Sequence, residues 1–324
     1  MSLVAPFPWC GGKRAVAAAV WERLGDVENY VEPFCGSAAV LLARPDSHRW
    51  WERIETINDA DGFVANFWRA LAADPLEVAR WADWPVNEND LHARHAWLVG
   101  RCSELVERLE GDPEFYDAKV AGWWAWGASA WIGGGWCSGN GSWVIRDGRL
   151  VRGEGGVGVQ RRLPVLNPAG HGVHATTRRE GILAWFTALA RRLRTVRVAC
   201  GDWSRVVTPS VTVGLGVTGV FLDPPYPPEE RSGGLYAVDG DVADAVRAWA
   251  VANGDDPRLR IALCGYEDAY EMPLGWSALR WTAHGGYGLQ SREGRGRVNR
   301  EREVVWFSPH CRPALQQPLF EEEM

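Results

Sequence analysis

The chain has 324 residues, 46% hydrophobic and 23% charged, with a formal net charge of −6; this is a globular balance, long enough for one large core or two unequal domains. No apolar run reaches membrane-spanning length and no charged leader precedes an apolar stretch at the N-terminus, which predicts a soluble cytoplasmic protein with no membrane partner. The seven cysteines (10, 35, 102, 137, 200, 264, 311) are odd in number and form no C-x-x-C pair, which points away from a disulfide framework and from a zinc site.

The acidic balance argues against a nucleic-acid partner, but the distribution of charge does not. Between Arg161 and Arg197 eight arginines face the single acid Glu180, and Arg292, Arg295, Arg297, Arg300 and Arg302 crowd a second stretch. A locally basic face on an acidic body is enough to follow a phosphate backbone. The competing explanation is a set of solvated helix faces in an Arg-rich chain, since 33 of the 35 basic residues are Arg. Lys13 is then one of only two lysines.

In chain order, Pro6-Phe7-Pro8-Trp9-Cys10-Gly11-Gly12-Lys13 predicts a loop leading into a helix over Arg14–Leu24, stopped at Gly25. Paired glycines let backbone approach a ligand closely, and Lys13 places a compact cation there. Asn29–Phe34 predicts a strand; Cys35-Gly36-Ser37 turns it into a helix over Ala38–Ala43, a strand, Gly turn and helix start of nucleotide-binding type. A second strand, Arg53–Ile57, ends in Asn58-Asp59-Ala60-Asp61, where an acid commonly holds a ribose hydroxyl. Asp61 to Ala73 reads as an amphipathic helix.

Residues 81–143 hold nine of the twenty tryptophans. Apolar spacing predicts one helix from about Asp90 to Leu109 and a second from Pro113 towards Ile132, broken by Gly133-Gly134-Gly135. From there to about His174 the chain is rich in Gly, Arg and turns. Arg178–Arg194 predicts a helix with Arg outward, followed by a strand at Val196–Val198.

Thr218–Leu222 is a short apolar run that reads as a buried strand, and Asp223-Pro224-Pro225-Tyr226 stands at its carboxyl end. Two prolines remove backbone donors, so the turn cannot pair into the sheet and its carbonyls stay free to accept. Asp223 and the Pro224 carbonyl can take the two hydrogens of a planar NH2 group while Tyr226 stacks on its ring. The bland alternative is an ordinary Pro-rich turn. Beyond it come a polar loop at 227–234, a helix over Val242–Ala252 and a strand over Leu259–Cys264, with Gly265-Tyr266-Glu267-Asp268 at its end. Strands near Ser277–Thr282 and Glu303–Phe307 predict a closing hairpin, and the Gly/Arg loop 285–302 between them is the best candidate for a DNA-gripping element; a plain surface loop is the competing and, for an isolated loop of this length, commoner reading.

Pro-Phe-x-Trp-x-Gly-Gly-Lys, Tyr-Val-Glu-Pro-Phe-Cys-Gly-Ser, Asn-Asp followed by Asn66-Phe67-Trp68, and Asp-Pro-Pro-Tyr occur in that order, and together they resemble the Dam-type (D12 class) DNA adenine-N6 methyltransferases. The resemblance covers about residues 5–75 and 180–308. It implies an α/β fold, a Rossmann-like S-adenosylmethionine-dependent methyltransferase sheet with an inserted, mainly helical target-recognition domain. The expected division is 1–80 and 177–310 for the catalytic domain, 81–176 for the insert and 311–324 for a flexible tail. By position, the resemblance implies that Trp9, Lys13, Glu32, Phe34, Gly36, Asp59, Asp202 and Asp223 surround S-adenosylmethionine, with Asp59 on its ribose and Asp202 beside its adenine, and that Asp223, Pro224 and Tyr226 hold the flipped base. No metal is implied. The partner implied is double-stranded DNA, in a bacterial or phage-infected cell.

Departures are also visible. The family often has Ser-Asn at the carboxyl end of the strand that corresponds to Leu259–Cys264, where this chain has Gly265-Tyr266-Glu267-Asp268, and the short signatures of GATC-methylating members are not visible in the insert. Gln316-Gln317-Pro318-Leu319-Phe320 is similar to peptides that dock on the bacterial sliding clamp; a solvated tail is the competing reading. Three other functions stay open at this point: N4-cytosine methylation, an RNA or protein-glutamine acceptor (for which Asn in place of Asp223 is the more usual pattern), and a DNA-binding protein that has lost catalysis.

Overall fold

The computed structural model describes residues 3–9, 11–45, 52–131, 135–137, 143–146, 149–152, 172–174, 181–225, 242–267, 269–282 and 302–314. After a 3-10 turn at Lys13–Ala15, the elements are α1 (Ala17–Leu24), β1 (Asn29–Glu32), α2 (Ala39–Leu42), β2 (Ile54–Asp59), α3 (Gly62–Ala73), α4 (Pro75–Ala82), α5 (Glu88–Val99), α6 (Cys102–Gly111) and α7 (Ala118–Ala128). They continue with β3 (Trp143–Arg146), β4 (Arg149–Arg152), α8 (Gly181–Leu193), β5 (Val196–Cys200), β6 (Thr218–Leu222), α9 (Ala243–Asn253), β7 (Leu259–Tyr266), β8 (Ser277–Arg280) and β9 (Glu303–Phe307).

Seven strands form one sheet in the order β5-β2-β1-β6-β7-β9-β8, and β3 and β4 form a separate antiparallel pair. The five strands from β5 to β7 are parallel; β9 enters antiparallel between β7 and β8. Numbered by appearance, the parallel part runs 3-2-1-4-5, the doubly wound order, with its switch point between β1 and β6.

Both faces of this sheet are covered, and the strands record it residue by residue. In β6, Phe221 joins the larger core cluster while Val220 and Leu222 join the smaller one. β7 divides in the same way, Ala262 and Cys264 against Leu259, Ile261 and Leu263, and so does β9, Val305 and Phe307 against Val304 and Trp306. A period of two with apolar residues on both sides is what a central strand between two helical layers requires.

Helices α3, α4, α7 and α8 pack on one another within the larger cluster. Capping defines their starts: Asp61 accepts from the Phe63 amide, Asp74 from Glu77, Asn87 from Asp90 and Asp117 from Val120. Gly122 sets how closely α4 and α7 approach, because a Cβ there would lie 2.4 Å from the Trp81 Cβ. Trp124, Trp126 and Trp131 are buried, and Trp84 is 47% exposed.

Some boundaries differ from the sequence expectation. The helix expected over Asp90–Leu109 is two, because the α5 carbonyls are closed at Gly100 and Arg101, whose amides bond back to Ala96 and Leu98. The helix expected from Pro113 begins at Ala118, once Asp117 can cap it. Helix α4 was not anticipated, although Asp74-Pro75 is a good start signal. β7 runs on to Tyr266, so Gly265 and Tyr266 are strand residues paired with Val304 and Glu303 and not part of a loop. Tyr226, the loops at 227–234 and 285–300 and the Gln316–Phe320 segment lie outside the described residues. Among the described residues no helix is long and apolar enough to cross a membrane.

Candidate active site

The carboxyl ends of β1, β2, β5 and β6 converge at the switch point, and the candidate residues stand there. β1 ends at Glu32, which is 2% exposed and accepts from the Tyr30 hydroxyl at 2.9 Å and the Leu41 amide at 3.1 Å. Burial pushes its carboxyl up to about 8 against those two bonds, with Asp223 and Asp59 adding to the rise.

The turn after β1 is held from several sides. Gly36 has φ +43°, and a Cβ there would lie 2.2 Å from the Trp9 indole nitrogen, so only Gly fits beneath Trp9. Its amide donates to Asp59 Oδ2 at 2.9 Å, and its carbonyl accepts from the Trp68 indole at 2.8 Å. Ala38, fully buried, also has positive φ at +48°. Asp59 Oδ1 accepts from the Asp61 amide at 2.9 Å. Burial, followed by the nearby Asp61 charge, lifts Asp59 to about 7.

Asn58 was not among the candidates, yet it ties two of these turns together. Its buried side-chain amide donates to Pro33 O at 2.9 Å and Gly201 O at 3.0 Å, joining the turns after β1 and β5. Beyond β5, exposed Asp202 accepts from the Ser204 amide at 2.9 Å and caps a short 3-10 turn. Phe34 and Trp203 stack with centroids 6.2 Å apart. Both are half-buried, which leaves aromatic edge and face for a planar ligand.

On the β6 side, Lys13 Nζ lies 2.9 Å from Asp223 Oδ1, 2.8 Å from Gly11 O and 3.8 Å from Glu303 Oε2. Lys13 is 4% exposed, and it also lies 5.8 Å from the centre of the Trp281 ring. Burial works to lower its pKa, but the Asp223 and Glu303 charges outweigh burial and hold the ammonium well above its usual value. Asp223 itself is raised, by burial first and by Glu303, against the opposing effect of Lys13. Pro224 is buried.

The structure thus gathers Trp9, Lys13, Glu32, Gly36, Asp59 and Asp223 around the switch point, with Phe34 and Asp202 on the β5 side. Glu303 was missed; its signal was an acid opening the apolar run Val304–Phe307. Trp68 was seen only as part of a motif, and its indole bond depends on a fold the sequence does not spell out.

Asp223 and Asp59 raise Glu32 by charge, so a cation entering the crevice beside these acids would be favoured. S-adenosylmethionine, with a sulfonium and an ammonium, meets that demand. Among the described residues no group of three or more His, Cys, Asp and Glu is arranged to hold a metal ion.

A doubly wound mixed α/β sheet with a strained glycine turn and buried acids at its switch point has the make-up of a methyltransferase fold. Residues 9–111, about a third of the chain, match the family model of the D12 class N6 adenine-specific DNA methyltransferases. The matched span includes Trp9, Lys13, Glu32, Phe34, Gly36 and Asp59, and ends before Asp202 and Asp223. No curated protein matches the chain.

Proposed function

We propose that this protein transfers a methyl group from S-adenosylmethionine to the N6 amino group of an adenine flipped out of duplex DNA. The observation that carries the reading is the Lys13–Asp223 ion pair of 2.9 Å, which joins the Pro6–Lys13 loop to the Asp-Pro-Pro turn beside Glu32, across the switch point from Gly36 and Asp59. Trp9, Glu32, Phe34, Gly36, Asp59 and Asp202 would hold the cofactor, which supplies an electrophilic methyl when bound.

The acceptor nitrogen is a poor nucleophile because its lone pair is delocalised into the purine ring. Asp223 and the Pro224 carbonyl accept its two hydrogens, favour the pyramidal nitrogen and stabilise the positive charge that develops on it. The new N–C bond forms as the C–S bond breaks; the electron pair stays on sulfur and the nitrogen gives up one proton. Asp223, a carboxyl raised by burial, suits that proton. A base inside a duplex must leave the stack to reach the turn, where Tyr226 is the proposed stacking partner. The inserted stretch 81–176 is the proposed target-recognition lobe, and exposed Arg191, Arg194 and Arg197 are proposed phosphate contacts.

The test is transfer of labelled methyl from S-adenosylmethionine to unmethylated duplex DNA, with product nucleosides separated, for the native protein and Asp223→Ala. N6-methyladenine from the native protein alone is the expected result. N4-methylcytosine would overturn the assignment of the base, and transfer that survives Asp223→Ala would overturn the role of Asp223.

A further inference from the structure

Glu303 opens strand β9, which runs antiparallel to both β7 and β8. Its Cα partner in β7 is Tyr266, at the carboxyl end of that strand, so strand pairing delivers a carboxylate from the end of the chain to the crevice edge. Glu303 is 5% exposed, and its Oε2 lies 3.8 Å from Lys13 Nζ on the opposite side of the acceptor corner from the cofactor turn. Lys13 also donates to Gly11 O and pairs with Asp223 at 2.9 Å.

We propose that Glu303 is a positioning residue for the methyl-accepting step: by holding the Lys13 ammonium between two carboxylates, it keeps Lys13 from neutralising Asp223 fully. The inference rests on the proposed methyl transfer for its functional meaning, but the arrangement itself can be tested without it. An Asp223 completely neutralised by Lys13 is a poorer acceptor for the amine hydrogens and for the departing proton. One without any cation would be too costly to ionise in a buried site. Shared between two acids, Lys13 supports an ionised Asp223 while leaving its basicity high.

Among the described residues, the groups facing Asp223 come from four directions. They are Lys13 from the 3-10 turn, Glu303 from β9, the buried Cys264 thiol from β7 and Glu32 from β1. Of these, Glu303 opposes its ionisation, and Lys13 and the Cys264 hydrogen bond favour it, while Asp223 in turn raises Glu32. The sign for Glu303 is therefore fixed: removing its charge strengthens the hold of Lys13 on Asp223 and lowers the pH at which Asp223 titrates.

The experiment is a carboxyl-carbon NMR titration of the ligand-free protein labelled at aspartate, with the Asp223 signal assigned by its loss in Asp223→Asn. Glu303→Gln is expected to move the Asp223 midpoint down by roughly 0.5–1 pH unit. Glu303→Asp, which withdraws the carboxylate by one methylene, is expected to move it in the same direction by less. In methyl-transfer assays the acid limb of kcat should fall by the same interval, with KM for the cofactor changed less than about twofold. A merely structural role would lower activity without moving the limb.

An Asp223 midpoint that stays in place or rises in a folded Glu303→Gln variant overturns the proposal. If Glu303→Gln does not fold, the Glu303→Asp midpoint decides in the same way. A midpoint that shifts as expected in a protein that transfers no methyl to DNA supports the arrangement and counts against the proposed function alone.

Discussion

Gly36 and Asp59, 23 residues apart in sequence, meet through a 2.9 Å hydrogen bond from the Gly36 amide to Asp59 Oδ2. The bond couples the turn after β1 to the end of β2, and Trp9 leaves no room above it for any side chain. Gly36→Ala should therefore weaken S-adenosylmethionine binding at least about tenfold and destabilise the fold by about 1–3 kcal/mol, from αL strain and displacement of Trp9. Calorimetric titration with the cofactor, alongside thermal unfolding, measures both. Binding unchanged in Gly36→Ala would remove this turn from the cofactor site.

Ala38, two residues on, also has positive φ but carries a side chain. Ala38→Gly is expected to be neutral or stabilising by up to about 1 kcal/mol, because it relieves strain at some cost in chain entropy. Ala38→Val should destabilise by more than about 2 kcal/mol, since a β-branched residue tolerates this conformation least and the site is fully buried. Denaturant midpoints of the two variants read the contrast, and equal midpoints would contradict it.

Asn58→Ala removes the donors to Pro33 O and Gly201 O and leaves two inward-facing carbonyls without that partner. A loss of about 2–4 kcal/mol follows from two hydrogen bonds and their desolvation. Asn58→Asp should be worse at neutral pH, because a carboxylate would face the same two carbonyls. Urea unfolding at pH 7 checks the order.

Buried carboxylates in this protein shift in opposite directions, and the signs give a pH profile. Glu32 and Asp59 are raised, to about 8 and about 7, chiefly by burial, with no ion pair to either among the described residues. Each binds its proton more tightly folded than unfolded, so stability falls as pH rises from about 4 through these values. Burial also acts to raise Glu55, but Arg192 and Arg44 more than offset it and its pKa is lowered. Its contribution is present above the unfolded carboxylate value and is lost in acid. The ligand-free protein should be more stable near pH 5 than near pH 8, and Glu32→Gln should flatten that difference. A native protein more stable at pH 8, by thermal unfolding without cofactor, would contradict the assignment. A cationic cofactor should expel protons from the same two acids. Binding near pH 7 should release protons, measurable as a dependence of the calorimetric heat on buffer ionisation.

Strand β6 was legible because Thr218–Leu222 is a short apolar run stopped by Asp223-Pro224, and β1 because Tyr30-Val31 leads into Pro33 and the Gly36 turn. Glu303–Phe307 and Thr218–Leu222 fall where the pattern predicts them. The break between α5 and α6 was not legible, because Leu98, Cys102 and Leu105 keep helical spacing across Gly100 and periodicity cannot see how carbonyls are closed. In the candidate site, Lys13, Gly36, Asp59 and Asp223 stood out through their local motifs. Glu303 and the double bond of Asn58 did not, since each depends on which strand lies beside which.

Strand β9 has one further consequence, for the order in which the protein is made. Lys13 is made long before Glu303, and β9 lies between β7 and β8, both of which precede it in the chain. A nascent chain can close the β1–β2–β5 corner, with Gly36 on Asp59, before Glu303 is made. On the proposed function, the corner for the methyl donor is then assembled before the place where the methyl would be spent.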